Sequence, residues 1–203
     1  MYYRIEHIPN AETMQAVVTE LLPLVPFSRR EKALRYKHLH GQYCCLRAWQ
    51  LLYELLVEHA FVPKTLPLAQ LTYAEDKYGK PHLTVIAQPS AIHFSLSHTK
   101  NAIAVAIDRQ PVGIDIEAIV SAARIEDSHF LERTMSADEQ QRIRAAAEPC
   151  VLYTELWTQK EALSKAIGSG LNIDTLPELL QQPSEFSIRS AHTDEYAYAV
   201  ASR

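Results

Sequence analysis

Two carboxylates stand close together in a segment that is otherwise typical of a buried strand. The segment is VGIDIE, residues 112 to 117, in which Asp115 and Glu117 alternate with Ile114 and Ile116. Because side chains alternate across a strand, the two acids share one face, about 6.5 to 7 Å apart, and the isoleucines share the other. Two ionised carboxylates at that distance repel unless a cation lies between them, and carboxylate oxygens are ligands that Mg²⁺ prefers. The spacing alone leaves two interpretations open, a metal site and a solvated strand face.

A second group of polar residues has helical spacing in LWTQKEALSKAIGSGL, residues 156 to 171. Trp157, Glu161 and Lys165 recur at i, i+4 and i+8, so they line one exposed face of a helix, with Lys160 beside them. A glutamate four residues before a lysine is also the usual stabilising surface pair, so this face could simply be solvated. A tryptophan on a solvated face is unusual, which predicts that the other half of the chain or a ligand covers it.

Three further segments carry groups that could contact a phosphate. Basic residues cluster between positions 29 and 47, where Glu31 is the single acid, although a solvated helix face is an equal alternative (Arg29, Arg30, Lys32, Arg35, Lys37 and Arg47). His98 follows Ser97 in FSLSHT, near a predicted hairpin turn, and no glycine-flanked elbow marks that serine as a nucleophile. Lys80 in YGKP is by default a turn lysine.

The hydrophobic pattern predicts which elements position these residues in the first half of the chain. A strand is expected over residues 1 to 8 and a helix over 11 to 22, ending at Pro23. Residues 28 to 59 are expected to form two helices separated at Gly41, the first capped by Ser28 with Glu31 as its capping-box partner. The pattern places these side chains in the core: Leu34, Leu46, Trp49, Leu52, Tyr53 and Leu56. A short strand is expected near 82 to 86.

The second half of the chain is predicted to begin and end with strands. Residues 91 to 107 read as two strands around a turn at HTKN, and VGIDIE follows as a third strand. Three helices are expected next, over 124 to 132, 136 to 147 and 150 to 167, the last ended by Gly168 and Gly170. The segments FSIRS and EYAYAVAS close the chain as alternating strands.

Two hairpins look like versions of one unit. FSLSHTKNAIAVAI, residues 94 to 107, resembles FSIRSAHTDEYAYAVA, residues 186 to 201, and each follows a long helix. Alternating hairpins also resemble one another by chance. If the likeness reflects a duplication, the chain has an α+β fold of two lobes, 1–108 and 109–203, related by a pseudo-twofold. Each lobe would pack an antiparallel sheet on a long helix, with the active site in the cleft between them.

The overall composition limits the class of protein. The chain has 203 residues, 47% of them hydrophobic, and a formal net charge of −4, which argues against a general nucleic-acid or membrane-surface binder. Its cysteines, Cys44, Cys45 and Cys150, have neither a disulfide pattern nor metal-ligand spacing, which favours a reducing compartment. The N-terminus lacks the apolar core of a signal peptide. These features predict a cytoplasmic protein with no nucleic-acid or membrane partner.

The order of these segments resembles a known family. VGIDIE, followed about forty residues later by LWTQKEALSKAIGSGL, is similar to the signature pair of the 4'-phosphopantetheinyl transferases, (V/I)-G-(I/V)-D-(I/V)-E and W-(S/T)-x-K-E-(A/S)-x-x-K. YGKPHL, FSLSHT and SRREKALRYKH resemble further family segments in the same order, so the resemblance covers residues 28 to 171. The length and the two similar halves resemble the monomeric surfactin-synthetase-activating branch. The shorter holo-acyl-carrier-protein synthase branch has one lobe per chain and forms trimers.

The resemblance implies a holo-acyl-carrier-protein synthase type of reaction. An enzyme of this family transfers 4'-phosphopantetheine from coenzyme A to a serine of an apo carrier protein and releases adenosine 3',5'-bisphosphate. The carrier would be an acyl, peptidyl or aryl carrier protein of fatty-acid, polyketide or nonribosomal-peptide synthesis. The resemblance also implies a Mg²⁺ ion, with Mn²⁺ as the alternative, held by Asp115, Glu117 and Glu161. Lys165, one turn past Glu161, would contact the pyrophosphate of coenzyme A.

The resemblance further implies which side chains hold coenzyme A and which carry catalysis. Contacts with coenzyme A would come from eight residues: Arg29, Lys32, Arg35, Lys80, Ser97, His98, Lys160 and Lys165. Catalytic roles fall on Glu161, Lys165 and Glu139, the last of which lies in MSADEQ. The group that accepts the proton of the carrier serine stays open among Glu161, Glu139 and a metal-bound water.

Three positions depart from the family pattern, and two other functions stay open. Ser95 stands where the family has Asn, and Met135 stands where it has an aromatic residue, which loosens the alignment of Glu139. Cys45 takes a position that is commonly Thr or another small residue. None of these changes removes an implied metal ligand. One alternative is a non-catalytic coenzyme A or carrier-protein binding module of the same fold, against which the intact carboxylates argue. The other is an unrelated Mg²⁺-dependent phosphate-handling protein, and the lack of a glycine-rich phosphate loop argues against a nucleoside triphosphatase.

Overall fold

The computed structural model of the chain describes residues 1–77, 79–84, 92–168, 170, 172–182 and 184–203. Within these residues the fold is α+β, as predicted. The strands are β1 Tyr2–His7, β2 Tyr73–Glu75, β3 Pro81–Leu83, β4 His93–His98, β5 Ala102–Asp108, β6 Val112–Ala118, β7 Ser187–His192 and β8 Tyr196–Ser202. The helices are α1 Ala11–Leu21, α2 Phe27–Leu34, α3 Leu39–Glu58, α4 Ala122–Glu126, α5 Ser128–Thr134, α6 Ala137–Ala145 and α7 Pro149–Ile167.

The two three-stranded sheets share one order of connection. In the first, β1 pairs with β5 and β5 with β4; in the second, β6 pairs with β8 and β8 with β7. All of these pairs are antiparallel. In each sheet the strand that comes first in sequence, β1 or β6, is followed later in the chain by a hairpin, β4–β5 or β7–β8. The first strand pairs with the second strand of that hairpin. The long helix between them, α3 or α7, packs on the same sheet.

The sequence of β5 explains how the two sheets come together. Because side chains alternate along a strand, the bulky residues of AIAVAI point to one face and the alanines to the other. Ile103, Val105 and Ile107 pack in the core beneath α3, whereas the three alanines pack against Val112, Ile114 and Ile116 of β6. The small alanines therefore let β6 approach β5 closely, and they fix the buried face of VGIDIE.

Helix α7 lies directly on β6. A Cβ atom at Gly113 would be 2.0 Å from the carbonyl oxygen of Ala162 and 2.5 Å from the amide nitrogen of Ala166, so only glycine fits there. The helix ends at Gly168, whose φ of 81° is the left-handed conformation that glycine adopts at helix ends. This close contact holds the polar face of α7 beside Asp115 and Glu117.

Several predicted elements are confirmed by the structure. Separately, none of the described helices is long and apolar enough to span a membrane. The N-terminal strand, the helix ending before Pro23, the hairpin around HTKN, the strand VGIDIE, the helices after Ser136 and Pro149 and the final hairpin all occur. The strand predicted near 82 to 86 appears as β3. Residues 85 and 86, like Tyr78, Ala91, Ser169 and Leu171 of the other predicted segments, lie outside the described residues.

The predicted boundaries inside residues 28 to 59 are wrong. Helix α2 begins at Phe27 with Pro26 at its N-cap and no side-chain cap bond, so the capping box of Ser28 does not form. The break comes at residues 35 to 38, and Gly41 lies inside α3. A Cβ at Gly41 would come within 2.6 Å of the Tyr36 ring, so the glycine makes room for that ring rather than ending a helix. Leu34, predicted in the core, is 55% exposed. The buried side of α2 is the side of Ala33, and the next side chain along the helix points outward.

The predicted helix over 124 to 132 is divided in two. Asp127 lies between α4 and α5, and its Oδ1 accepts a hydrogen bond from the backbone N–H of Phe130 at 3.2 Å. An aspartate in this role begins a new helix rather than continuing the previous one.

Candidate active site

A cleft of about 410 Å³ runs between α2, the β2–β3 hairpin, β4 and the C-terminal end of α7. It brings together five of the predicted site residues from three separate parts of the chain: Arg29, Lys32, Lys80, Glu161 and Lys165. Asp115 and Ser97 adjoin it through Lys165. Residues from both halves of the chain therefore meet at one cleft.

Asp115 is buried, and its two carboxylate oxygens differ. The ammonium of Lys165 donates to Oδ1 at 2.6 Å, and the hydroxyl of Ser97 donates to the same oxygen at 2.8 Å. Within the described part of the chain, Oδ2 has no hydrogen-bond partner although water cannot reach it. A buried carboxylate oxygen without a partner is costly, so this atom can accept a cation or a donor.

Burial and neighbouring carboxylates raise the pKa of two of the acids, Glu161 and Glu117. Burial, followed by the charges of Asp115 and Glu117, raises the pKa of Glu161 to about 7, although Lys165 opposes the shift. Burial and Asp115 also raise the pKa of Glu117, against Lys165 and a hydrogen bond from the Trp157 indole. The site therefore holds more negative charge than Lys165 compensates.

The predicted metal ligands are near one another, but their side chains are not arranged around a common point. Over the residues that the structure describes, no group of three or more His, Cys, Asp or Glu side chains is placed to hold a metal ion. The donor set still suits a hard cation, since it offers three carboxylates, one of them with an unpaired oxygen. The ammonium of Lys165 supplies the positive charge beside Asp115.

On the opposite wall, Arg29 is a buried positive charge without an anion. Its guanidinium stacks on Trp49, 4.1 Å from the ring centroid, and on Tyr73 at 4.9 Å. Its Nη1 contacts the sulfur of Cys45 at 3.8 Å, and its Nε has no partner. Among the described residues no carboxylate lies within 4.0 Å of it. A desolvated guanidinium that lines a cleft favours an anionic ligand such as a phosphate.

The other predicted phosphate contacts have different surroundings. Lys32 is exposed and lines the cleft, whereas Arg35 is exposed at the end of α2 and does not. The ammonium of Lys80 donates to the Ala166 carbonyl at 2.7 Å, and burial lowers its pKa against the opposing charge of Asp76. Lys80 thus ties the turn after β2 to the end of α7.

His98 lies at the exposed end of β4, next to Ser97. Its ring centroid is 6.5 Å from that of His40, and desolvation, together with His40 and Lys165, lowers its pKa. A neutral ring at this position can accept or donate one hydrogen bond without adding charge.

The prediction that Lys160 lies beside the exposed face of α7 is wrong, because the side chain is fully buried. Its ammonium donates to Glu139 Oε2 at 2.6 Å and to the carbonyl oxygens of Thr134, Leu176 and Pro177. Glu139 is itself buried and also accepts the backbone N–H of Ser136 at 2.9 Å in a capping box. Neither residue lines the cleft. The pair holds α6 and the segment after α7 against that helix.

Two aromatic residues that matter at this site cannot be recognised from the sequence. Trp49 was predicted only as a core residue, and Tyr73 was not singled out, yet both frame Arg29. Trp49 and Tyr73 lie on α3 and β2, well beyond one helical turn from Arg29 on α2, so local patterns cannot show these contacts. Trp157 differs from these two, because a tryptophan on a helix face that is otherwise polar already indicates a contact. Its side chain is half-buried, and its indole donates a hydrogen bond to Glu117.

Comparisons with known proteins agree with this arrangement. Residues 111–201 match the model of the 4'-phosphopantetheinyl transferase superfamily. The chain is 34% identical to 4'-phosphopantetheinyl transferase psf-1 of Bacillus pumilus, over 76% of this chain and 63% of that protein. It is 29% identical to 4'-phosphopantetheinyl transferase gsp of Aneurinibacillus migulanus, over 82% of this chain and 65% of that protein.

A third relative extends the likeness. The chain is 27% identical to 4'-phosphopantetheinyl transferase Sfp of Bacillus subtilis, strain 168, over 79% of this chain and 68% of that protein. The chain is thus similar to the 4'-phosphopantetheinyl transferase superfamily over residues 111–201 and to these transferases over about three quarters of its length. The match to the first two relatives spans slightly less than two thirds of their length.

Proposed function

We propose that this protein transfers the 4'-phosphopantetheine group from coenzyme A to a serine of an apo acyl, peptidyl or aryl carrier protein. The observation that carries the proposal is the charge distribution of the cleft. Glu161 lines one wall, and Asp115, with its unpaired Oδ2, adjoins that wall through Lys165; Arg29, which has no anionic partner among the described residues, lines the other. Coenzyme A fits both, since it has a pyrophosphate that a divalent cation can bridge and a separate 3'-phosphate. The names of the relatives support the same reaction.

The reaction exchanges one phosphorus–oxygen bond for another. The serine oxygen of the carrier bonds to the phosphorus next to pantetheine, and the bond from that phosphorus to the bridging oxygen breaks. Adenosine 3',5'-bisphosphate leaves with the bridging oxygen. The serine proton passes to Glu161 or to a water molecule in the cleft, since Glu139 is buried against Lys160. Such a transfer depends mainly on positioning and on charge neutralisation.

Asp115, Glu117 and Glu161 are the proposed ligands of a Mg²⁺ ion, for which Mn²⁺ could substitute. The unpaired Asp115 Oδ2 and the mutual repulsion of the three carboxylates support this assignment. A divalent cation there would reduce the charge on the phosphate under attack and stabilise the leaving oxygen. Lys165, which donates to Asp115, is the proposed contact of the pyrophosphate.

Coenzyme A is proposed to bind across the cleft. Arg29 and Lys32 line the wall suited to the 3'-phosphate, and Lys80 holds the neighbouring turn in place. Arg35 and His98 remain proposed contacts of coenzyme A, although neither lines the cleft. The Ser97 hydroxyl donates to Asp115, so Ser97 is not retained as a direct contact. Lys160 is not retained in this role, because its ammonium is buried with four protein acceptors.

The two halves of the chain, 1–108 and 109–203, are proposed to be lobes related by a pseudo-twofold, with the site between them. The identical strand connections of the two three-stranded sheets support this division. We also propose that the protein acts as a monomer, in the manner of the surfactin-synthetase-activating branch that the sequence resembles.

The proposal is tested by incubating the protein with coenzyme A, Mg²⁺ and apo carrier proteins of each of the three pathway classes. Intact-mass spectrometry of the carrier is expected to show the mass increase of phosphopantetheine, and chromatography an equal amount of adenosine 3',5'-bisphosphate. Glu161→Gln is expected to abolish transfer with little loss of folding. The matched control is Glu155→Gln on the same helix, whose carboxylate pairs with His192 on the surface. Binding of coenzyme A without transfer to any carrier would identify a binding module instead.

A further inference from the structure

Strands β4 and β6 run side by side although they belong to different sheets. Ser95, Ser97 and Thr99 occupy alternate positions, so their side chains point to the same side of this segment. We call these three side chains the hydroxyl seam, because each reaches β6. Ser95 Oγ accepts the backbone N–H of Ile114 at 3.0 Å, and Thr99 Oγ1 accepts that of Ala118 at 3.1 Å.

The two backbone contacts define a fixed register. Both join residues that are 19 positions apart, so β4 and β6 run parallel with a constant offset. An edge strand presents a row of backbone N–H groups that need acceptors when they are buried. In this junction the hydroxyls of β4 supply the acceptors that a neighbouring strand's carbonyls would supply within a sheet.

The middle hydroxyl of the seam acts on the site directly. Ser97 Oγ donates to Asp115 Oδ1 at 2.8 Å, and Lys165 Nζ contacts both of these oxygens, at 3.3 Å and 2.6 Å. Two donors therefore converge on Oδ1, which leaves Oδ2 as the oxygen without a partner. The orientation of the carboxylate follows from these contacts.

We propose that the hydroxyl seam is a set of positioning residues that aligns β6 with β4 and orients the Asp115 carboxylate toward its ligand. Ser95 and Thr99 hold the backbone of β6, and Ser97 holds the side chain. The part of this proposal that concerns a divalent cation rests on the proposed function. In this arrangement Ser97 contributes to catalysis through Asp115 rather than by contacting coenzyme A.

The first test measures Mn²⁺ binding to the full chain by electron paramagnetic resonance, with no other ligand added. Ser97→Ala is expected to weaken Mn²⁺ about tenfold, the effect typical of removing a hydrogen bond behind a metal ligand. Thr99→Val is expected to weaken it about threefold, and Thr99→Ser is expected to restore it. The control is Ser190→Ala, which removes a strand hydroxyl bonded to Gln159 at the other edge of the second sheet.

Steady-state kinetics distinguish this role from a direct contact with coenzyme A. Ser97→Ala is expected to lower kcat about tenfold and to change the KM for coenzyme A by less than about twofold. A raised KM with unchanged kcat and unchanged Mn²⁺ affinity would overturn the proposal, because it would show a ligand contact.

A third measurement does not depend on the proposed function. Amide hydrogen exchange followed by NMR is expected to be faster at Ile114 in Ser95→Ala and at Ala118 in Thr99→Val, and unchanged at both in Ser190→Ala. If the wild-type protein transfers nothing, the proposed function fails, and these two amides still decide whether the seam aligns the strands. Unchanged exchange at both amides would overturn the alignment.

Discussion

Two lysines of α7, Lys160 and Lys165, each hold a buried carboxylate with the same distance of 2.6 Å between ammonium and oxygen. They are five residues apart, so they project about 140° apart around the helix. Lys160 pairs with Glu139 in the interior, where the lysine side chain is 0% and the glutamate 3% exposed. Lys165 pairs with Asp115 at the cleft, where the lysine is 31% exposed.

The two pairs differ in how completely their polar atoms are satisfied. The ammonium of Lys160 has four acceptors, and the bonded oxygen of Glu139 also receives a backbone N–H. At the other pair, Oδ2 of Asp115 has no partner in the part of the chain that the structure describes. A fully satisfied buried pair holds neighbouring elements in place, whereas an incompletely satisfied pair is where a ligand can bind. The first pair therefore belongs to the fold and the second to the site.

The largest effect is expected from Asp115→Asn. The change removes the charge that opposes Lys165 and one proposed cation ligand, while it keeps the size of the side chain. Transfer to an apo carrier is expected to fall at least about 100-fold. The measurement is the initial rate of holo-carrier formation, with circular dichroism to show that the variant is folded. A rate within about threefold of the wild type would show that Asp115 is not part of the site.

A large effect on stability, rather than on activity, is expected from Glu139→Gln. The variant leaves Lys160 as a buried charge without its anion, so the free energy of unfolding is expected to fall by about 3 kcal/mol. Urea denaturation measures this change. Under conditions where the variant is folded, its kcat is expected to stay within about threefold of the wild type. A folded variant without activity would instead give Glu139 the catalytic role that the sequence resemblance implied.

A smaller effect on stability and on the KM for coenzyme A is expected from Gly168→Ala. Gly168 caps the C-terminal end of α7, to which a third lysine, Lys80, is hydrogen-bonded. Gly168 has a φ of +81°, and a Cβ there would lie 2.7 Å from Cδ of Lys80. The strained backbone is expected to lower the free energy of unfolding by about 1 kcal/mol. Because Lys80 must shift, the KM for coenzyme A is expected to rise more than kcat falls. An unchanged KM would mean that the turn of Lys80 does not shape the cleft.

The smallest effect is expected at the exposed pair of α7, Glu155 with His192, whose Oε1–Nδ1 distance is 2.8 Å. The hydrogen bond that His192 donates to Glu155 raises the pKa of His192. A folded-state pKa above the unfolded value means that the pair stabilises the protein below about pH 6.5 and loses this contribution as the pH rises through the folded pKa. The Tm difference between the wild type and Glu155→Gln is therefore expected to shrink from pH 5.5 to pH 8. A difference that grows with pH would contradict the assignment.

The sequence predicted the directions of side chains better than it predicted what covers them. Alternation along VGIDIE placed Asp115 and Glu117 on one face, and helical spacing placed Glu161 and Lys165 together; the structure shows these residues near one another. The same helical spacing could not show that residues 176 and 177 cover Lys160. Their carbonyl oxygens come from a segment beyond the end of the helix.

The basic cluster shows a similar limit. The sequence placed six cations between residues 29 and 47, but their roles depend on partners distant in the chain. Arg47 pairs with Glu6 and Glu54, and Arg30 donates to the carbonyl oxygen of Leu22 at 2.8 Å. Of these three, Arg29 has neither a carboxylate nor a carbonyl acceptor among the described residues, and it lies between two aromatic rings. Composition gave the charge of the segment, and only the tertiary contacts show which cation is available to a ligand.

The proposed transfer of phosphopantetheine depends on the incompletely satisfied carboxylates beside the cleft. The most direct measurement is the intact mass of an apo carrier protein after incubation with coenzyme A, Mg²⁺ and either the wild type or Asp115→Asn. We expect conversion to the holo form by the wild type, loss of that conversion when EDTA removes the metal, and no conversion by the variant. An unchanged mass for carriers of every class with the wild type, or full conversion by Asp115→Asn, would contradict the proposal.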